Sequence, residues 1–208
     1  MSRKWLLYLV VISVLVFVVT NLQYMPGPHS MFAVVTNARI AMGWVLLLGI
    51  VMSLPVAITF IAVEWLKRNR QPGYRMKWTG AILSGIVFPA VAGASVYMGE
   101  NKLSESSREV AIGHAQPLIN AIEQYKQTNG TYPASFDTKN YHTGVMGIDQ
   151  YEYDTIGKGY RITFKQYEAL AITYQWTAYE PHTIPQQIGV TGVYQTRHKY
   201  WYYYVLYN

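Results

Sequence analysis

The stretch TGAILSGIVFPAVAGASVYM, residues 79–98, decides how the chain is read. Its 20 residues include no ionisable group, and at about 1.5 Å per residue such a helix crosses ~30 Å of hydrocarbon. Two more apolar runs precede it. Trp5 to Thr20 carries no charge and is extended by Leu22 and Tyr24. Ile40 to Val63 runs for 24 residues interrupted only by Ser53, Pro55 and Thr59. The expectation is three membrane helices at about 5–22, 40–63 and 79–98 within a transmembrane region 1–99. The first run begins like a signal peptide, with Arg3 and Lys4 ahead of it, but Val18-Val19-Thr20-Asn21 offers no small-x-small cleavage site. A retained anchor is therefore expected.

Charge gives the direction. Arg3, Lys4, Arg39, Lys67, Arg68, Arg70, Arg75 and Lys77 face only Glu64 up to residue 99, whereas residues 100–208 hold nine basic and ten acidic side chains. The formal net charge of +6 thus belongs to the apolar half, which excludes a soluble nucleic-acid binder with its own basic face. Arg3, Lys4 and the five cations of the loop 64–78 outnumber the single Arg39 of the loop between the first two runs. The excess of cations on one side sets the N-terminus and the loop 64–78 in the cytoplasm, leaving 100–208 as an extracytoplasmic domain. The localisation expected is a multi-pass membrane protein. Trp44, Trp65 and Trp78 stand near span ends, where indole rings favour the interface.

The third run is rich in small residues. Ala81–Gly85 and Ala90–Ala94 each repeat at four residues, which allows close helix packing, within this bundle or against a partner or second copy. Pro55 and Pro89 predict kinks. The absence of Asp, Glu, Lys, Arg and His from the three runs disfavours an ion or proton path.

Beyond residue 99 the pattern becomes that of an α+β domain. Ser106 and Glu109 have the spacing of a capping box. Ala111, Ala115, Leu118, Ile122 and Tyr125 then recur at spacings of four, three, four and three, as the buried stripe of an amphipathic helix does. A bend is expected before Pro117 and a left-handed cap at Asn129-Gly130. Farther on, the period changes to two. Tyr151, Tyr153 and Thr155 alternate with Glu152 and Asp154, and Tyr160, Ile162 and Phe164 alternate with Arg161, Thr163 and Lys165. A four-residue loop, Ile156 to Gly159, would pair Asp154 with Arg161 on the wet face and Tyr153 with Ile162 on the dry one. Further strands are expected at 169–178, 189–195 and 199–206. With no cysteine in the chain, the domain is held by its core and its anchor.

The segment from Leu118 to Pro133, with Tyr125 near the helix end and Gly130-Thr131-Tyr132-Pro133 after it, resembles type IV pilin-like and type II secretion pseudopilin-like domains. The resemblance implies a long helix packed on a small antiparallel sheet, and a bacterial source, so that the localisation expected is the bacterial inner membrane with the C-terminal domain in the periplasm. Pilins have one hydrophobic segment behind a cleaved leader; here there are three, and Lys77 to Ile82 does not match that leader, so the filament role is not implied.

No catalytic pattern is present. The histidines at 29, 114, 142, 182 and 198 lack metal-ligand spacing, Gly157-Lys158-Gly159 reads as a turn, and Asp137, Asp149, Glu152 and Asp154 read as surface carboxylates rather than a calcium shell. No cofactor, metal or catalytic residue is expected. Asn129-Gly130-Thr131 is formally a glycosylation sequon, without meaning in a bacterium. The run from Tyr200 to Tyr207 is aromatic on both faces of a strand. One face must fill the core; the other, with Trp201, Tyr203, Tyr179 and Tyr194, either presents flat rings to glycan or a partner protein or is a tyrosine-rich surface whose hydroxyls simply reach water. The functional expectation is a non-enzymatic membrane protein whose outer domain binds another envelope protein, an assembly or secretion subunit or a toxin it neutralises. The alternative is a glycan-binding factor or enzyme using the aromatic face.

Overall fold

The computed structural model describes residues 3–167, 173–182 and 192–207. Helix α1 (Arg3–Asn21) leads through a short 3-10 turn and a loop into α2 (Phe32–Arg70), a helix of 39 residues. The chain turns back and enters an unbroken helical path from Thr79 to Asn129, 51 residues long. Along it lie α3 (Thr79–Ile82), a π-helical turn Leu83–Val87, α4 (Phe88–Met98), a second π-helical turn Gly99–Leu103, α5 (Ser104–His114) and α6 (Gln116–Asn129). The segments His29–Arg70 and Thr79–Asn129 are both long and apolar enough to cross a membrane, and α1 is a shorter apolar helix beside them. Val45, Leu48, Val51, Leu54 and Ile58 of α2 and Ile82 and Ile86 of the third segment point outward. A soluble core helix would turn such side chains inward; these form an apolar belt of the kind a membrane-crossing helix presents.

Both prolines leave local signatures. Pro55 lies inside α2, where its ring deprives the helix of a donor, and its own carbonyl accepts a second bond from the Thr59 hydroxyl at 2.8 Å. The turn Leu83–Val87 sits just before Pro89, and there the Phe88 amide reaches back five residues to the Leu83 carbonyl. Widening the turn moves the preceding carbonyls away from the proline ring.

No new helix begins at Ser106. The second π-turn and α5 run on without a break, Ser106 is exposed within the helix, and Leu103 before α5 is already helical. The expected capping box is therefore absent, because no unsatisfied amides exist there for it to bond. The bend at Pro117 falls at Ala115, whose amide is shared between Ala111 at 3.1 Å and Ile112 at 3.2 Å. The helix ends as read: Gly130 is left-handed (φ 77°) and donates to Lys126 at 2.8 Å.

Five antiparallel strands follow: β1 (Glu152–Ile156), β2 (Gly159–Tyr167), β3 (Thr173–Tyr179), β4 (Val193–Gln195) and β5 (Trp201–Tyr207), in the spatial order β1-β2-β3-β5-β4. Asp154 pairs with Arg161 and Tyr153 with Ile162, as the alternation predicted. The turn is tighter than expected, because Ile156 and Gly159 still pair and Gly157 alone has positive φ, at 56°. Residues 169–172 and 189–191 of the expected strands lie outside the described residues.

Helices α5 and α6 lie across one face of the sheet. Ala111, Ala115, Leu118 and Ile122 are buried against Tyr151, Tyr160, Ile162, Phe164 and Trp201. Tyr125, expected on the same stripe, is exposed; the end of the core is instead covered by Tyr132, which folds back so that Lys126 donates to its hydroxyl at 3.0 Å. Buried and half-buried tyrosines direct their hydroxyls at specific acceptors: Tyr151 at the Ala111 carbonyl (2.6 Å), Tyr153 at the Pro133 carbonyl (2.6 Å) and Tyr160 at Glu123 (2.9 Å).

The α+β domain is fastened to the apolar helices. The loop after α1 forms a short ladder with the loop before β1, through Gly27 N to Gly144 O (3.0 Å), Met146 N to Met25 O (3.1 Å) and Gly147 N to Gln23 O (2.9 Å). The Asn21 amide donates to the Ser95 carbonyl at 3.2 Å, and the Arg39 guanidinium lies 4.7 Å from the centre of the Tyr167 ring. At the far end of α2, Glu64 accepts from Lys67, Tyr74 and the Lys77 amide, each at 2.8 Å, closing the turn to α3. These bonds hold the Glu64 carboxyl well below its ordinary range, at about 2.

Candidate functional site

The sheet register decides which way the aromatic residues point. Ile162 pairs with Tyr179, Tyr179 with Trp201, Thr177 with Tyr203, and Tyr203 with Tyr194. Partners in register share a face, so Tyr179, Trp201, Tyr203 and Tyr194 do lie together, but on the helix side of the sheet. Trp201 is 3% exposed and belongs to the core, with Tyr179 packed against it at 5.2 Å between ring centres. The expected outward-facing aromatic surface is thereby corrected: the helix covers two of its four rings. Tyr203 and Tyr194 lie past the core, toward the sheet edge, and stack at 5.1 Å and 19°. Tyr194 is 47% exposed.

Arg108 of α5 completes this stack. Its guanidinium lies 3.8 Å from the centre of the Tyr203 ring on the way into the protein, and its Nη2 donates to the Gln175 side-chain oxygen. Arg108 is only 6% exposed. Burial draws its pKa downward, opposed by Tyr203 and by the nearby charges of Glu105 and Glu109. No carboxylate lies within ion-pair range of it among the described residues, and its Nε is buried without a partner. A buried cation held by a π face and one amide oxygen is costly to keep. Below it, Ser104, Ser107, Gln166 and Gln175 form a buried polar layer. Ser107 donates to the Ser104 carbonyl at 3.0 Å and Gln166 donates to the Ser107 hydroxyl at 2.5 Å.

The turn between β4 and β5 closes over this region and carries two side chains onto α5. Arg197 pairs with Glu105 at 3.0 Å, and His198 meets Glu109 at 2.5 Å. The turn ends at Tyr200, which has φ 68°, a conformation bulky side chains rarely adopt. Between turn, sheet edge and α5 lies a cleft of about 550 Å³, lined among others by Glu100, Arg108, Gln175, Tyr194 and Tyr203. An exposed tyrosine ring held flat on a second ring and a cation is immobilised before any ligand arrives, which lowers the entropy lost on binding.

A second polar cluster lies at the far end of α6. The Tyr132 hydroxyl meets His182 Nε2 at 2.7 Å and lies 3.4 Å from both carboxylate oxygens of Glu123. These bonds tie the Gly130–Pro133 turn to the helix and sheet. His114 is exposed beside Gly144, with its imidazole where a Cβ on that residue would sit. Among the described residues no group of three or more His, Asp or Glu side chains is gathered as metal ligands would be.

The small residues of the third apolar run divide. Ala81 is buried and Gly85 faces α2, where an added Cβ would stand 3.0 Å from Ala57. Ala90 and Ala94 are exposed on the opposite side. Sequence reasoning missed Arg108, Glu105, Glu109, Gln175, Arg197 and His198. One signal was available: the buried stripe of the helix runs upstream from Ala111 to Arg108, Ser107 and Ser104, so its apolar pattern turns polar while keeping its spacing. No protein-family model matches the chain, and neither a curated protein nor a solved structure does.

Proposed function

We propose that this chain is a non-enzymatic subunit of a bacterial envelope assembly, anchored in the inner membrane by three helices with its N-terminus in the cytoplasm, and that its outer domain binds a protein partner at the cleft beside Tyr194. The observation that carries the reading is the stack of Arg108, Tyr203 and Tyr194, which runs from the protein interior to an exposed, immobilised ring. Tyrosine and arginine are the residue types that most often anchor protein interfaces. The cleft wall adds Glu105–Arg197 and Glu109–His198, pairs that a partner's charges can exchange with.

Three crossings and this orientation are supported by charge and by contact together. The loop after α1 bonds to the outer domain, whereas Lys67, Arg68 and Arg70 close the opposite end of α2. The pilin-like reading is supported by one helix laid on an antiparallel sheet and by the turn at Gly130–Pro133.

The test is a photo-crosslinking amino acid at Tyr194, activated in intact cells expressing the full chain. A discrete crosslinked protein that disappears with Arg108→Ala and is not obtained from a probe at exposed Tyr125, away from the cleft, supports the reading. A probe at Tyr194 that yields no protein adduct, while one at exposed Tyr125 does, overturns it.

A further inference from the structure

A second cavity lies where the outer domain meets the start of α2. It measures about 430 Å³ and is lined by Phe32, Thr36, Arg39 and Ile40 of α2 and by Asp149, Glu152, Lys165 and Tyr167 of the domain. Its position is fixed by the apolar belt. Ile40 opens the 24-residue apolar run, and Phe32, Thr36, Ile40 and Trp44 follow at four-residue steps along one face of α2. Ile40 and Trp44 are exposed below the cavity, so its floor continues into the lipid-facing surface of the helix.

The charges are ordered along the same axis. Arg39, one residue above Ile40 and 6% exposed, forms the base. At the rim, on the domain side, are Asp149 and Glu152, whose side chains are each about half exposed, with Lys165 set 3.5 Å from Glu152. From the membrane outward, a ligand therefore meets an apolar track, then a guanidinium, then carboxylates. Arg39 is also the single cation between the first two apolar runs, on the side of the membrane where cations are otherwise avoided.

We propose that this cavity is a binding site for one phospholipid whose headgroup carries an amine. The phosphodiester, next to the glycerol, meets Arg39, for which guanidinium is the favoured partner; the terminal ammonium, one ethylene farther out, meets Asp149 and Glu152; the acyl chains descend past Ile40 and Trp44. A headgroup with phosphate but no amine leaves Glu152 to Lys165 alone at 3.5 Å and Asp149 to His29 at 3.9 Å, with no ammonium between the two carboxylates. A free phosphate leaves the apolar track empty. The bound lipid bridges the helix and the outer domain at the place where Arg39 already stacks on Tyr167.

The full chain, purified in mild detergent and placed in nanodiscs of equal phosphatidylethanolamine and phosphatidylglycerol, tests this by native mass spectrometry after graded delipidation. The expected result is one phosphatidylethanolamine retained per chain, at least tenfold enriched over phosphatidylglycerol. Arg39→Gln, which removes the partner of the phosphodiester, should abolish retention of lipid and Arg39→Lys restore part of it. Lys165→Gln leaves the base intact and frees Glu152 for the ammonium, so enrichment should persist; it also serves if Arg39→Gln fails to fold, paired then with Asp149→Asn and Glu152→Gln, which should lose the preference for amine while still holding lipid. Retention of both lipids alike, retention of none, or unchanged enrichment in the double carboxylate variant overturns the proposal. So does equal occupancy by inorganic phosphate or soluble glycerophosphoethanolamine, which would make the site one for a free solute.

Discussion

Tyrosines give the α+β domain a core that is large, aromatic and still hydrogen-bonded, and this makes its stability sensitive to alkali. Burial raises the pKa of Tyr151 and Tyr160 far above the ordinary tyrosine value and pushes that of Tyr204 up to about 12. In the unfolded chain these hydroxyls lose their protons near pH 10. The folded state thus keeps protons that the unfolded state releases, and its stability is whole below pH 10 and falls as pH rises past it, through about 12 for Tyr204. The thermal unfolding midpoint in detergent should be flat from pH 7 to 9.5 and decline beyond 10. Tyr151→Phe removes the bond to the Ala111 carbonyl and should cost about 1 kcal/mol at neutral pH while making the alkaline decline shallower. A variant that declines as steeply as the parent would show that Tyr151 is not among the groups responsible. A single glycine is equally informative. A Cβ on Gly147 would be driven into the backbone of Gln23, which cannot move aside. Gly147→Ala should therefore cost roughly 1–3 kcal/mol and raise hydrogen exchange at residues 141–150, where the domain is bonded to the loop after α1. Unchanged exchange there would mean that the ladder does not hold the domain.

At the level of elements, the path from Thr79 to Asn129 must keep two faces in phase, one against α1 and α2 and one against the sheet. The π-turn Gly99–Leu103 stands between them, with the Ser104 amide bonded five residues back to Gly99. Such a turn absorbs one residue more than an α-helical turn holds. Deleting exposed Lys102 should then leave a regular helix with both faces still aligned, and the protein should fold with a nearly unchanged midpoint. Deleting exposed Ala94, inside regular α4, should rotate one face by roughly 100° against the other and prevent the domain from docking. Equal damage from the two deletions would refute this account of the turn. What was legible in the sequence follows the same division. Periodicity and charge revealed the apolar runs, the Asp154–Arg161 register and the Gly130 cap, because each is a local pattern with a local cause. The facing of β5 was not legible: with rings at every position from Tyr200 to Tyr204, alternation has no sign, and only the pairing with β3 turns Trp201 inward. Ser106 and Glu109 looked like a helix start because their spacing says nothing about whether a helix has already begun. The Arg108 cleft was hidden for a further reason, since its wall comes from the β4–β5 turn, 89 residues from Glu109.

For the whole molecule, the decisive relation is between its loops and its α+β domain. A domain joined only through α4 and α5 would swing on one helix; this one is also bonded along residues 23–27 and stacked on Arg39, so its sheet stands at a set angle to the apolar belt. That arrangement ties topology to structure. The loop after α1 must share a compartment with the domain it bonds, and α2, 39 residues or about 58 Å long, carries the turn at 71–78 to the other end. Because the native chain lacks cysteine, single cysteines report each position without background. Ser30, Ser135 and Gln71 are all exposed. In intact spheroplasts a membrane-impermeant maleimide should label Ser30→Cys and Ser135→Cys at similar rates and leave Gln71→Cys unmodified until the cells are lysed. If Ser30→Cys and Ser135→Cys were reached from opposite sides, the ladder between Gly27 and Gly144 could not exist in the membrane-inserted protein. If all three were labelled alike in intact cells, the apolar belt would not be crossing a bilayer, and the cleft beside Tyr194 would lose the compartment in which its partner is sought.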